Sequence, residues 1–144
     1  MVSRRRMLAW LLAALAPLRP ARASPAQLQA AMAELFGDRQ PQHGRVTVDI
    51  PPLVENGNAV PMTVTVDSGA ARVARIHVFN EKNPQPHVIT VGFGPLVGRA
   101  AFSTRIKLAD SQKVIAVAEI EDGSLWRGEA SVVVTVAACI EEVP

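Results

Sequence analysis

From Arg45 onward the side chains alternate with a period of two. Val46, Val48 and Ile50 are interleaved with Arg45, Thr47 and Asp49, and Met62, Val64 and Val66 with Thr63, Thr65 and Asp67. Alternation of this kind gives an extended chain one apolar and one polar face, so these segments are half-buried strands. Five further strands are expected at residues 73–79, 88–93, 99–108, 113–120 and 129–136. Turn-forming residues punctuate them at Asn56-Gly57, Asp67-Ser68-Gly69, Asn83-Pro84 and Asp122-Gly123. About seven strands separated by turns predict an all-β protein, an immunoglobulin-like β-sandwich. With hydrophobic residues at 49% of the chain and aromatics at only 4%, its core must be built from Val, Ile, Leu and Ala. The likeness is one of pattern, because the Cys…Trp…Cys core of antibody domains is absent.

Ahead of the strands, Ser24 and Pro25 stand in the order of an N-cap and a first helical residue. Leu28, Met32, Leu35 and Phe36 then recur at helical spacing, and Gly37 ends the run. A short amphipathic helix is expected against one end or edge of the sandwich. Earlier still, Arg4, Arg5 and Arg6 precede an apolar stretch at residues 8–16 and a small-x-small site at Ala21-Arg22-Ala23. That is the anatomy of a signal peptide, and the adjacent arginines resemble the twin-arginine export signal. The apolar stretch is shorter than the ~20 residues that span a bilayer. The expected organisation is therefore a signal peptide at 1–23, a sandwich with its helix at 24–136 and a C-terminal arm at 137–144, with export to the periplasm and no membrane anchor after cleavage.

The net charge of +2 comes from fifteen basic and thirteen acidic residues. Five of the basic ones, Arg4, Arg5, Arg6, Arg19 and Arg22, fall before residue 24, where there is no acidic residue. Ten basic residues against thirteen acidic remain after cleavage, which removes the compositional case for nucleic-acid binding.

Motifs for catalysis or metal binding are lacking. His43, His77 and His87 form no tight ligand spacing, even with Glu81 nearby, and His77 falls on the outward face of its strand, so solvated histidines are expected and no metal or other cofactor. Glu119, Glu121 and Asp122 approach a hairpin turn, where carboxylates are expected as solvated turn formers. Gly92 and Gly94 have no helix start beyond them to cradle a phosphate, and Ser103, Ser111 and Ser124 have no activating motif beside them. The protein is expected not to be an enzyme.

Cys139 is the one cysteine, so no internal disulfide can form. A leftover thiol in an exported protein points to an intermolecular bond or a reactive group, although free cysteines are also often buried. If the last strand stops near Val136, three extended residues carry the thiol up to ~10 Å from the body on a mobile end. If the strand continues, Cys139 is buried. Position alone leaves both readings open.

A resemblance bears on that choice. Glu55-Asn56-Gly57-Asn58 with Val60-Pro61, Val64-x-Val66-Asp67-Ser68, Ile76-His77-Val78-Phe79 and Asn83-Pro84-x-Pro86 are followed by Ser103-Thr104-Arg105-Ile106-x-Leu108-Ala109, Val117-Ala118-Glu119 and Asp122-Gly123-Ser124. In these segments the chain resembles SoxY, the covalent sulfur-carrier family of the periplasmic sulfur-oxidation system. The resemblance implies an exported sandwich paired with a second small sandwich subunit, SoxZ. It also implies a terminal Gly-Gly-Cys-Gly-Gly arm whose cysteine holds sulfur intermediates and presents them to partner enzymes. Only the cysteine carries over, as Cys139. Ala137, Ala138, Ile140 and Glu141 flank it here, so the chain is more similar to a SoxY-related group with an Ala-Ala-Cys-Ile-Glu arm.

Alanines narrow the arm's conformations relative to glycines, and Ile140 adds bulk beside the sulfur. Glu141 and Glu142 are expected to disfavour the thiolate and to repel anions such as thiosulfate. The expected function is a non-catalytic periplasmic carrier with the sulfur compound attached at Cys139. An interaction module paired with a SoxZ-like subunit but without covalent cargo is the alternative. A metal chaperone using Cys139 and the histidines is a third, weaker reading. The sequence does not identify the sulfur compound or the enzymes served.

Overall fold

The computed structural model describes residues 24–140. The signal-peptide expectation at 1–23 and the carboxylates Glu141 and Glu142 lie outside them. Helix α1 spans Pro25–Phe36. Nine strands follow: β1 (Gln42–His43), β2 (Val46–Asp49), β3 (Leu53–Asn56), β4 (Val60–Val66), β5 (Val73–Asn80), β6 (His87–Gly92), β7 (Ala101–Ile106), β8 (Gln112–Ile120) and β9 (Leu125–Val136). The seven expected strands are β2 and β4–β9. Of the other two, β1 is only two residues long and β3 reads Leu-Val-Glu-Asn, which does not alternate, and β9 starts four residues before the expected 129, just after the Asp122-Gly123 turn.

Two sheets make the sandwich. The larger has the order β1-β9-β8-β5-β6, with β3 pairing the far end of β9, and the smaller has the order β2-β4-β7. Both β1 and β3 run parallel to β9 and every other pair is antiparallel. Between β1 and β3 the chain crosses to the small sheet to form β2. Its backbone there passes so close to β9 that a Cβ on Gly128 would meet the Val46 carbonyl oxygen at 2.0 Å. Only glycine fits at that crossing.

Inward residues of both sheets form the main core: Val60, Met62 and Val64 from β4, Ile76 and Val78 from β5, and Val114, Ala116, Ala118 and Ile120 from β8. Aliphatic side chains fill it, as the shortage of aromatics requires.

The helix is capped as expected. Ser24 and Gln27 exchange side-chain to backbone hydrogen bonds in a capping box, with Pro25 in the first turn. Its position differs from the expectation. It lies on the outer face of the larger sheet, where Leu28, Met32 and Phe36 pack on Phe79 of β5, Ile115 and Val117 of β8 and Leu125 of β9. Each such burial is worth about 1.5–3 kcal/mol. Leu35, expected on the apolar face, is 38% exposed. With sheet on one side and helix on the other, the middle of β8 is buried on both faces, which is why residues 114–118 read Val-Ile-Ala-Val-Ala.

This arrangement corrects the expectation for His77. The side chain does point away from the sandwich core, but α1 covers that face, and His77 is only 4% exposed. The Phe36 ring meets the imidazole edge-on with centroids 5.1 Å apart. His43 and His87 are exposed, as expected.

Candidate functional site

The arm begins where β9 ends, at Val136, and a turn 80 residues earlier in the chain decides where it lies. That turn joins β3 to β4 through Gly57 and Asn58. Gly57 N–H donates to the Val136 carbonyl at 2.8 Å, and the Gly57 carbonyl accepts from Leu108 N–H at 2.9 Å. The Leu108 carbonyl in turn accepts from Ala138 N–H at 2.9 Å. Three backbone segments thus meet at Gly57, and a Cβ there would lie 2.5 Å from the Leu108 oxygen and 3.0 Å from the Ala138 nitrogen. Glycine is required here for close approach.

Asn58 then fixes the next residue. Its Oδ1 accepts from Cys139 N–H at 3.2 Å. Its own amide is oriented because Nδ2 donates to Asn56 Oδ1 at 2.9 Å, an oxygen that also accepts from Asn58 N–H at 2.9 Å. The expectation of a free, extended end reaching ~10 Å from the body is corrected accordingly. Ala138 and Cys139 are both tied to the sandwich, and Ala137 is exposed.

The thiol of Cys139 is nevertheless exposed, so the buried-strand reading does not hold. The next side chain, Ile140, is half-buried and lines a groove with Asn83, Gln85, His87, Arg105 and Lys107. No carboxylate lines that groove among the described residues. Asn83 holds the groove floor in place: its Nδ2 donates to the Lys107 carbonyl at 2.8 Å, and its Oδ1 accepts from Ala109 N–H at 3.1 Å and from Gln112 Nε2 at 2.8 Å. Gly57, Asn58 and Leu108 lie inside segments that the sequence marks as turn and strand end, and nothing in their local pattern shows that they seat the arm.

A second polar group sits apart from the arm. His77 Nδ1 and His87 Nε2 each lie 2.9 Å from Thr90 Oγ1. His77 Nε2 faces Glu119 Oε2 at 3.7 Å. Glu119 is not the solvated turn former expected; it is paired with Arg39 at 3.2 Å and Arg75 at 3.4 Å. Asp122 does serve the turn, accepting from Ser124 N–H at 2.8 Å. Burial holds the His77 pKa below its ordinary 6.5, outweighing the opposing pull of Glu119. Among the described residues no group of three or more His, Cys, Asp and Glu side chains could hold a metal ion. No described helix is long and apolar enough to cross a membrane.

A two-sheet sandwich that shows one exposed thiol, seated at the end of its last strand beside a basic groove, has the build of a protein that presents a reactive group. The family model for sulfur oxidation protein SoxY matches residues 32–139, and the chain belongs to that family, whose members are not catalytic. A solved structure similar to it is that of the sulfur carrier protein SoxY from Chlorobium limicola f thiosulfatophilum. The two are 28% identical, with a TM-score of 0.67, over 78% of this chain and 100% of that one. The superoxide reductase (neelaredoxin) from Ignicoccus hospitalis is 17% identical with a TM-score of 0.55, over 63% of this chain and 80% of that one. A putative superoxide reductase from Thermotoga maritima is 19% identical with a TM-score of 0.51, over 66% and 87%. These two show a shared fold and nothing more. No curated protein matches the chain.

Proposed function

We propose that the protein is a periplasmic sulfur carrier of immunoglobulin-like fold, exported by its twin-arginine signal, which holds a sulfur compound covalently on Cys139 and presents it to separate enzymes. The observation that carries this reading is the exposed thiol on an anchored terminal arm in a chain of the SoxY family. The likeness to a protein described as a sulfur carrier supports it.

The chemistry needs no catalytic apparatus on the carrier. The Cys139 thiolate attacks one sulfur of a sulfur–sulfur bond; a new S–S bond forms at Cys139, and the displaced sulfur leaves with the electron pair of the bond that breaks. The arm of Ala137, Ala138, Ile140 and Glu141 differs from a glycine arm in how freely it turns, so the enzymes served have channels shaped for this bulkier segment. A SoxZ-like subunit is the proposed partner, in a heterodimer.

Intact-mass measurement on protein isolated from its own periplasm tests this reading. A sulfur adduct that maps to Cys139 is the expected result. A bare thiol under sulfur-oxidising conditions overturns the carrier reading in favour of an interaction module. Native mass spectrometry of the same preparation is expected to show a heterodimer, and a lone monomer refutes the partnership.

A further inference from the structure

Five of the ten described lysines and arginines are compensated in ion pairs. Arg39 and Arg75 pair with Glu119, Lys113 and Arg127 with Glu129, and Lys82 approaches Asp110. Arg45, Arg72, Arg99, Arg105 and Lys107 form no ion pair among the described residues, and of these five it is Arg105 and Lys107 that lie beside the arm. Both are exposed, and both line the groove that receives Ile140. They stand two residues apart at the end of β7, which places them on one face of the extended chain.

Their platform is rigid. The Lys107 carbonyl accepts from Asn80 Nδ2 at 3.1 Å as well as from Asn83 Nδ2, and the next residue, Leu108, is bonded to both Gly57 and Ala138. Because Ile140 is seated in the groove, the Cα of Cys139 is one peptide step, about 3.8 Å, from that of a residue inside it.

We infer that this groove is the seat for the anionic end of the sulfur compound attached at Cys139, with Arg105 and Lys107 as its cationic contacts. The inference rests on the carrier reading. The ligand class is a sulfur oxyanion, such as a sulfonate terminus. A guanidinium fork matches two of its oxygens, and the lysine ammonium supplies a compact second charge.

The test compares two thiol reagents on the full chain, wild type against the double variant R105A/K107A. With tetrathionate, a dianion, the Cys139 thiolate attacks a central sulfur, a Cys–S–S–sulfonate forms, and thiosulfate leaves with the electron pair of the broken S–S bond. With methyl methanethiosulfonate, which is neutral, a methyl disulfide forms and methanesulfinate leaves. The double variant is expected to react about three- to tenfold more slowly with tetrathionate, as loss of two nearby cations predicts, and the difference is expected to vanish in ~1 M salt. Its rate with the neutral reagent is expected to equal that of wild type. Equal tetrathionate rates in the two proteins overturn the seat and leave the carrier standing. A variant slowed equally by both reagents also overturns the seat, because the effect then lies on the thiol. A wild type that reacts with neither reagent overturns the carrier reading and the seat together.

Discussion

Gly57→Ala sets two opposing effects against each other. The φ of Gly57 is not in the left-handed region, so alanine is compatible with the backbone. Taken alone, the loss of unfolded-chain entropy then stabilises the protein by about 0.4–1 kcal/mol. Against this stand the contacts at 2.5 Å to the Leu108 oxygen, 3.0 Å to the Ala138 nitrogen and 3.1 Å to Val134 Cγ1. Two of these are backbone atoms held by hydrogen bonds to Gly57 or to each other, so they cannot rotate away as a side-chain tip would. Relieving them costs the ~1–3 kcal/mol typical of overpacking, and it strains bonds worth about 0.5–1.5 kcal/mol each. The clash wins, and the expected net loss is about 1–2 kcal/mol. That corresponds to a fall in Tm of several degrees for a domain of this size. Because the arm is one of the three segments displaced, thiol-dye labelling of Cys139 is expected to change in the same variant. Gly98→Ala serves as the control, since nothing lies within 4 Å of a Cβ there, and it is expected to be close to neutral. Thermal and urea melts of both variants decide the matter. A Gly57→Ala protein as stable as wild type, or more so, refutes the three-way junction as the anchor of the arm.

Asn58→Ala removes the acceptor for Cys139 N–H, and is expected to cost no more than about 1 kcal/mol while speeding dye labelling several-fold; an unchanged rate refutes the anchoring role. Cys139→Ser is expected to leave stability within about 0.5 kcal/mol of wild type, as for an exposed site, while abolishing covalent loading; a clear drop in Tm contradicts the exposed thiol. The lowered pKa of His77 makes stability pH-dependent. As pH falls below about 6.5 the unfolded chain binds a proton that the folded imidazole refuses, so stability declines from there down to the folded-state pKa. Urea melts between pH 7.5 and 5 are expected to show this slope, and His77→Phe to reduce it; a slope unaltered by the substitution refutes the assignment.

The alternation in β2 and β4, the turn at Asp122-Gly123 and the N-cap at Ser24 are local features, and the structure agrees with the sequence at each. What the sequence did not disclose depends on distant partners. β1 and β3 exist because β9 supplies hydrogen-bond partners some 80 residues away. His77 is dry because Phe36 packs over it, and periodicity reports which face a residue points to but not what covers that face. The thiol-bearing residue was legible as a leftover cysteine. Its anchor was not, because Asn58 and Leu108 have turn and strand-end roles that fully account for their local pattern.

The parallel pairing of β3 with β9 has a consequence for how the chain folds. Contacts between residues 80 apart repay their loop-closure entropy only late, so the β3–β9 junction and the Asn58–Cys139 bond are expected to form in the slow phase of folding. Until they form, the thiol belongs to an unanchored chain end with a bare β9 edge beside it. In an oxidising compartment two such molecules can couple through their sulfurs before either is finished. Because the thiol stays exposed after folding, what early coupling changes is the arm. Refolding under oxidant at high protein concentration is expected to join pairs before their arms are seated, since coupling is second order and seating is first order.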